Sequence, residues 1–424
     1  VTPLELSSIC NLSAPLKKRR GSPVHSFSWN RPMTRDNAFA RISDFEKMEA
    51  ELVAIRQHLH ANPELSFEEA ETAGLVAEKL EAWGYEVHRN VGGHGVVARL
   101  KVGSSPRSIA IRADMDALPI QEETGLAYAS RTCGKMHACG HDGHTTMLLG
   151  AAEYLARTRR FDGTVNLIFQ PAEEAGVGSG AQAMIADGLF ERFPCDAIFG
   201  LHNHPGAPAG TWLMRSGPLM AAADTVKIII KGKGGHASRP HLTIDPVLVA
   251  CNLVVSLQSV VSRSIDPTQT AVVTVASIHA GQASNVIPGS ATLALSVRSF
   301  EPEIRDILEA RIRKLTAAVA EGHGARFEID YVRGHPVVIN SATETAFARG
   351  VAEELVGPDK VSTCNLIPGS EDFAHFLEHK PGSFLRLGNG LHSEILHSPK
   401  FNFADENLTI GAALWARLTE KFLS

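Results

Sequence analysis

Thr164-Val165-Asn166-Leu167-Ile168-Phe169-Gln170-Pro171-Ala172-Glu173-Glu174 is the stretch on which the reading of this chain turns. Its first six residues form a short, largely apolar run, the pattern of a strand buried on both faces. Pro171 stops the run, and two neighbouring carboxylates follow at once. Related runs lie on either side: Val96–Val102, then Ser108–Ala113 leading into Asp114 and Asp116, then Ala197–Leu201 leading into His202-Asn203-His204. Around them the spacing turns helical, over Asp44–His60, Ser66–Trp83, Thr145–Arg157 and Gly180–Asp187. Ser43 or Asp44 is the expected cap of the first helix, and Asn62-Pro63 ends it. Ser66 and Glu69 have capping-box spacing at the start of the second, and Gly84 closes it. Apolar strands alternating with helices predict an α/β fold with a mostly parallel sheet covered on both faces.

The period changes near residue 225. Thr225–Lys233 reads as a strand, Asp245–Ser262 as a helix, Ala271–Ile278 and Ala291–Phe300 as strands, Pro302–Val319 as a helix and Arg326–Val332 as a strand. This β-α-β-β-α-β order predicts a ferredoxin-like unit. Helix–strand alternation resumes from Ala342. The expected organisation is a disordered tail over 1–43, a catalytic domain over 44–224 and 335–424, and an inserted lid or dimerisation domain over 225–334. Two domains also suit a length of 424 residues.

Composition bounds the function classes. Hydrophobic residues make up 44% and charged residues 21%, an ordinary globular balance. A net charge of -5, with no basic cluster outside the first twenty residues, argues against nucleic acid as a partner. No run approaches the ~18 consecutive apolar residues of a membrane span. Six scattered cysteines lack the spacing of a disulfide framework, which suits a reducing cytoplasm. Residues 1–40 carry Lys17-Lys18-Arg19-Arg20 without any periodicity, the pattern of a disordered tail or of upstream sequence before a start at Met33 or Met48.

Cys139, His141, Glu173, Glu174, His202 and His397 are side chains of the kinds that bind catalytic transition metals. In an open α/β sheet, ligands gather at the carboxyl ends of strands, where several of these residues fall. Cys139-Gly140-His141, just before a helix, can turn a thiolate and an imidazole toward one centre. Of two glutamates side by side at a strand end, one can ligate while the other faces a bound water. A pair of metals ~3.5–4 Å apart can clamp that water and polarise a carbonyl. Among the remaining histidines, His58, His60, His137 and His144 are expected to pack, cap or support. His204 is a weaker ligand candidate than His202 because Pro205 follows it.

Seven motifs occur in order: Arg112-Ala-Asp-Met-Asp-Ala-Leu-Pro119, Met136-His-Ala-Cys-Gly-His-Asp-Gly-His144, Gln170-Pro-Ala-Glu-Glu174, Gly234-Gly-His-Ala-Ser-Arg-Pro-His241, Asn285-Val-Ile-Pro288, Gly369-Ser-Glu-Asp-Phe373 and His397-Ser-Pro399. From about residue 44 to the C-terminus the chain resembles the amidohydrolase branch of the aminoacylase/carboxypeptidase G metallopeptidase family, which contains hippurate hydrolases, N-acyl-amino-acid amidohydrolases and indoleacetyl-amino-acid hydrolases. The resemblance implies a site for two divalent ions (Mn²⁺, Zn²⁺, Co²⁺ or Ni²⁺) on Cys139, His141, Glu174, His202 and His397, with Cys139 bridging. It implies Glu173 as general base and Asp114 as a carboxylate orienting a ligand. Arg112 and Cys139 stand where the wider family usually has histidine and aspartate. His236 matches a histidine that reaches the partner subunit's site to stabilise the oxyanion, with His241 in reserve. Asn285 and Arg298 are the implied holders of a substrate carboxylate.

The expected activity is metal-dependent hydrolysis of an N-acyl amino acid by a homodimer or tetramer. A dipeptidase, carboxypeptidase or N-acetyl-diaminopimelate deacetylase is the alternative within the class. A Cys139-nucleophile enzyme and a non-catalytic binding protein are the alternatives outside it.

Overall fold

Eight strands form the larger sheet of the computed structural model, which describes residues 39–424. In spatial order they are Glu86–His88, Val96–Val102, Gly163–Gln170, Ser108–Asp114, Ala197–His204, Gly382–Gly388, Trp212–Met214 and Val361–Thr363. The middle four run parallel, flanked by antiparallel neighbours on both sides. Side chains alternate between two cores, as a pleated strand buried on both faces requires. Ile109, Ile111, Val165, Leu167 and Phe169 face one core, while Ala110 and Ile168 face the other. The first core is closed by helices Glu49–Ala61, Ala70–Ala82, His141–Thr158, Ala342–Val356 and Asn407–Phe422. The second is closed by the shorter helices Gly180–Ala186, Leu189–Arg192 and Phe373–His379.

A four-stranded antiparallel sheet lies between the two halves of this unit in sequence. Its order is Ala271–Ala280, Ser290–Ser299, Ala222–Lys231, Arg326–Arg333, with helices Pro246–Ser264 and Pro302–Gly322 on one face. This is the β-α-β-β-α-β arrangement read from the sequence. Burial alternates along the whole of Ala222–Lys231, so Val226, Ile228 and Ile230 enter a core of their own. Helix Pro246–Ser264 begins with Asp245 accepting from Val247 N at 2.9 Å and Pro246 in the first turn. By length and composition this helix is apolar enough to cross a membrane, which the sequence reading did not anticipate. Its Val249, Ala250, Leu253, Leu257 and Val260 stripe packs against the sheet.

Three local expectations are corrected. Residues 39–43 belong to the folded unit, because Ala40 N donates to Glu420 and Ala40 O accepts from Arg417, both on the C-terminal helix. The rest of the expected tail, residues 1–38, lies outside the described residues. The second helix begins at Ala70, and Ser66 does not cap it; the Ser66 hydroxyl donates to Asp116 at 2.7 Å. The helix expected from Thr145 begins at His141, so a ligand candidate opens it.

Candidate metal centre

Strand ends and one helix start converge at a single rim. Gly140 makes the sharpest turn: its φ of 97° is left-handed, and a Cβ there would sit 2.4 Å from Asn203 Oδ1. Glycine at 140 therefore allows Cys139 and His141 to reach the same point from consecutive turns of chain. Beyond strand Gly163–Gln170, Ala172 also takes a left-handed φ of 50°, turning Glu173 and Glu174 inward. His397, at φ 66°, is held through its backbone N–H, which donates to Ala138 O at 2.8 Å. Non-glycine residues in this region are uncommon and cluster at functional sites.

Cys139, His141 and His202 bring their ligand atoms within 4.8 Å of one another, and Cys139, Glu174 and His397 do the same. His141, Glu173 and Glu174 form a third such group. All five expected ligands, and the expected base, thus meet in one place. The imidazoles are aimed from behind. His141 Nδ1 donates to the Asp116 carbonyl at 2.9 Å and also lies 3.2 Å from its carboxylate, leaving Nε2 buried and without a hydrogen-bond partner. His202 Nδ1 donates to Asn203 O at 2.8 Å, which turns Nε2 to within 3.2 Å of Cys139 Sγ. Such hydrogen bonds fix the tautomer that a metal needs.

Electrostatics favour a cation. Burial pulls the His141 pKa down, yet Asp114 and Asp116 push it up to about 10. Burial, with Glu174, Glu173 and Asp114 nearby, pushes the Cys139 thiol well above its usual range. Burial, followed by Glu371, Glu174 and Asp372, raises Glu173 in the same direction. Negative charge is in excess here, and a divalent ion would relieve it and draw Cys139 into its thiolate form. The donor set of thiolate, imidazole and carboxylate, with His141 Nε2 left unpartnered, fits such ions.

Supporting residues stand behind this layer. Asp116 receives the Ser66 hydroxyl and the Glu174 N–H and holds His141. Asp114 pairs with His144 at 2.6 Å and Arg112 at 2.6 Å, and lies 3.8 Å from His141 Nε2. Arg112 also binds Gln170, Glu371 and Asp372 at 2.7–3.0 Å, so its donors are spent on neutralising carboxylates. The Glu371-Asp372 pair is therefore part of the centre's foundation, with Glu173 beside it.

A cavity of about 500 Å³ opens over the centre, lined by Cys139, Glu173, Glu174, His202 and His397, by Thr225 and Arg298 of the four-stranded unit, and by Arg386. His236, His241 and Asn285 are not among its lining residues. They sit close together on exposed turns, where His236 pairs with Val286 across a two-residue ladder and Asn285 O accepts from Ala237. Ser238 N donates to His236 Nδ1 at 3.1 Å, which leaves the ring proton on Nε2.

A parallel sheet presenting thiolate, imidazole and carboxylate at one rim beneath a cavity defines a metal-dependent hydrolase. Comparison with known proteins agrees. A match to Peptidase family M20/M25/M40 spans residues 110–421. Hippurate hydrolase of Campylobacter jejuni is 44% identical over 384 residues, 90% of this chain and 99% of that protein. N-acetylcysteine deacetylase of Bacillus subtilis is 42% identical over 371 residues, 87% of this chain and 95% of that one. A solved Bacillus subtilis structure, described as a dinuclear metal-binding peptidase of the M20 family, aligns with a TM-score of 0.78 at 36% identity, covering 89% of this chain and 99% of its own. The chain belongs to the M20/M25/M40 peptidase family and is a metal-dependent amidohydrolase.

Proposed function

We propose that this enzyme hydrolyses the amide bond of N-acyl amino acids, with two divalent ions held by Cys139, His141, Glu174, His202 and His397. The observation that carries the reading is the position of Glu173. It lies within reach of His141 and Glu174 with Glu371 and Asp372 behind it, and burial, followed by Glu371, Glu174 and Asp372, holds its pKa above the ordinary range. A carboxylate tuned upward is a better proton acceptor near neutral pH. Ions bound at the cluster would lower the pKa of a water to ~7 and polarise the scissile carbonyl. Glu173 takes the proton as the water oxygen bonds to the carbonyl carbon, then passes it to the amide nitrogen as the C–N bond breaks. Arg298, at the cavity wall with only a 3.5 Å contact to Ser370 Oγ, is suited to a substrate carboxylate. The two relatives act, by their names, on hippurate and on N-acetylcysteine, both acylated amino acids.

The same reading makes the enzyme a homodimer. Among the described residues, strand Ala271–Ala280 has a neighbour on one side only and exposes Val272 and Ile278, while helix Pro246–Ser264 exposes Leu248 and Val255. An apolar edge of this kind calls for a partner. Such a partner would carry His236 and Asn285 toward the facing cavity, where the His236 Nε2–H could donate to the developing oxyanion.

Chelator-treated protein should lose hydrolysis of hippurate and N-acetyl-amino acids and regain it with Mn²⁺, Zn²⁺, Co²⁺ or Ni²⁺. Elemental analysis of the active form should give two ions per chain. Activity that survives full metal removal would overturn the reading.

A further inference from the structure

Five arginines are buried among the described residues: Arg56, Arg112, Arg305, Arg386 and Arg417. Four of them have carboxylates to match. Arg56 forks onto Asp405 at 2.7 Å, Arg112 binds Asp114, Glu371 and Asp372, Arg305 grips Asp224, and Arg417 meets Glu354 at 2.8 Å. Arg386 has none. Its Nη2 donates to Asn203 O at 3.0 Å, its Nη1 lies 3.9 Å from Met220 Sδ, and its Nε is buried with no partner. A guanidinium carries five N–H donors, so most of this one's capacity is unspent. Leaving an ionised group buried and unpaired is among the costliest arrangements a fold can hold.

The place of this charge is as telling as its solitude. Arg386 lies on strand Gly382–Gly388, in register with the ligand candidate His202 on the adjacent parallel strand. It lines the cavity over the metal centre and is only 2% exposed. Arg298 lines the same cavity from the four-stranded unit and also has no carboxylate within ion-pair distance among the described residues. Two unpaired guanidinium groups, one from each sheet, therefore face one substrate space.

We propose, resting on the amidohydrolase reading above, that the preferred substrate is dianionic. Arg298 binds the α-carboxylate of an N-acyl amino acid, and Arg386 binds a second carboxylate. That second carboxylate is carried either at the far end of the acyl group or on the amino-acid side chain. A bidentate carboxylate would satisfy the unpaired donors of Arg386 and exclude an apolar group of the same size, because the apolar group would leave the charge stranded.

The test compares charged substrates with neutral analogues of matching shape on the metal-loaded enzyme. N-succinyl-alanine is set against N-butanoyl-alanine, and N-acetyl-glutamate against N-acetyl-glutamine. In one of the two pairs, the charged member should show a kcat/KM higher by about tenfold or more, as expected for a charge-assisted hydrogen bond. The responding pair tells which end of the substrate meets Arg386. Arg386→Met, with metal content verified, should erase that ratio while leaving the neutral substrates within a few-fold. Arg386→Lys, which keeps the charge but not the fork, should retain part of it. Binding to metal-loaded Glu173→Gln by calorimetry should show the same preference without turnover. Wild-type enzyme that hydrolyses N-acetyl-amino acids with no preference in either pair overturns this proposal and leaves the amidohydrolase reading intact. Equal losses on all four substrates in Arg386→Met also overturn it, since they would mark a role in the reaction or in metal charge balance. If Arg386→Met does not fold, the wild-type ratios and Arg386→Lys decide. Enzyme that cleaves none of the four, nor hippurate, overturns the parent reading instead.

Discussion

Glu173 and Glu174 are neighbours with the same chemistry, and their surroundings separate them. Glu174 shares its position with Cys139 and His397, whereas Glu173 is backed by Glu371 and Asp372. Replacing Glu173 by Gln should therefore keep metal occupancy and cut turnover by ~10²–10⁴-fold, the usual contribution of a general base. Cys139→Ala or His141→Ala should lower occupancy in elemental analysis. An emptied site in Glu173→Gln with a filled one in Glu174→Gln would reverse the two assignments. His60 offers a different test. Burial pulls its pKa down, but Asp142 at 2.8 Å and Glu122 at 3.3 Å push it up to about 9. A folded-state pKa above the ordinary 6.5 means the charged ring stabilises the fold fully below pH ~6.5, and this is lost as pH rises through about 9. The thermal midpoint of the wild type should fall across that window, and His60→Gln should flatten the fall. Parallel slopes in the two proteins would count against a charged His60.

Among the elements, the helix that starts at His141 depends most on one residue. Gly140→Ala would combine a left-handed φ of 97° with a Cβ 2.4 Å from Asn203 Oδ1. A loss of at least about 1–3 kcal/mol is expected, with a fall in metal occupancy, since the change sits between two ligand candidates. Gly74, inside helix Ala70–Ala82, is the control: a Cβ there meets nothing within 4 Å, so Gly74→Ala should gain roughly 0.5–1 kcal/mol. Denaturant titration of both variants separates the two expectations. These elements also show what the sequence made legible. The buried strands and the β-α-β-β-α-β order could be read because apolar periodicity is set by which face a residue turns to the core. The ligand candidates could be read because few residue types bind metals and they fell at strand ends. What lay behind them could not. Ser66 had the spacing of a helix cap, but tertiary contact gave its hydroxyl to Asp116. Glu371 and Asp372 could equally have oriented a loop or reached the site, until Arg112, 259 and 260 positions earlier, came to lie against them. Local pattern carries no record of partners so far apart. Arg386 left one trace, a lone charge in the otherwise uncharged and buried strand Gly382–Gly388.

At the scale of the whole molecule, the turn bearing His236 is exposed and absent from its own chain's cavity lining. If it serves a partner's site, Glu173→Gln and His236→Ala protein should complement one another after subunit exchange. One site of each mixed dimer would hold both lesions and the other neither, so up to about half the activity could return; this presumes that losing the donor costs ~10²-fold or more. Exchange verified by mass, with no activity recovered, would assign His236 to its own chain or to no catalytic role.

The junction between the two sheets has a consequence for how the chain reaches its fold. Ala223 N donates to His335 O at 3.1 Å, and Gly334 N returns a bond to Ala223 O at 3.0 Å. The four-stranded unit thus departs from and returns to the rest of the chain through one clasp. Strands Ala197–His204 and Gly382–Gly388, which must pair to complete the rim, are far apart along the chain. Once the inserted unit has formed, its clasp removes more than half of the loop between them. Closure of the remaining loop is then easier by roughly 1 kcal/mol, since its entropic cost grows with the logarithm of length. The insertion thus acts as a splint, so variants that weaken its core should slow the assembly of a catalytic rim they never touch.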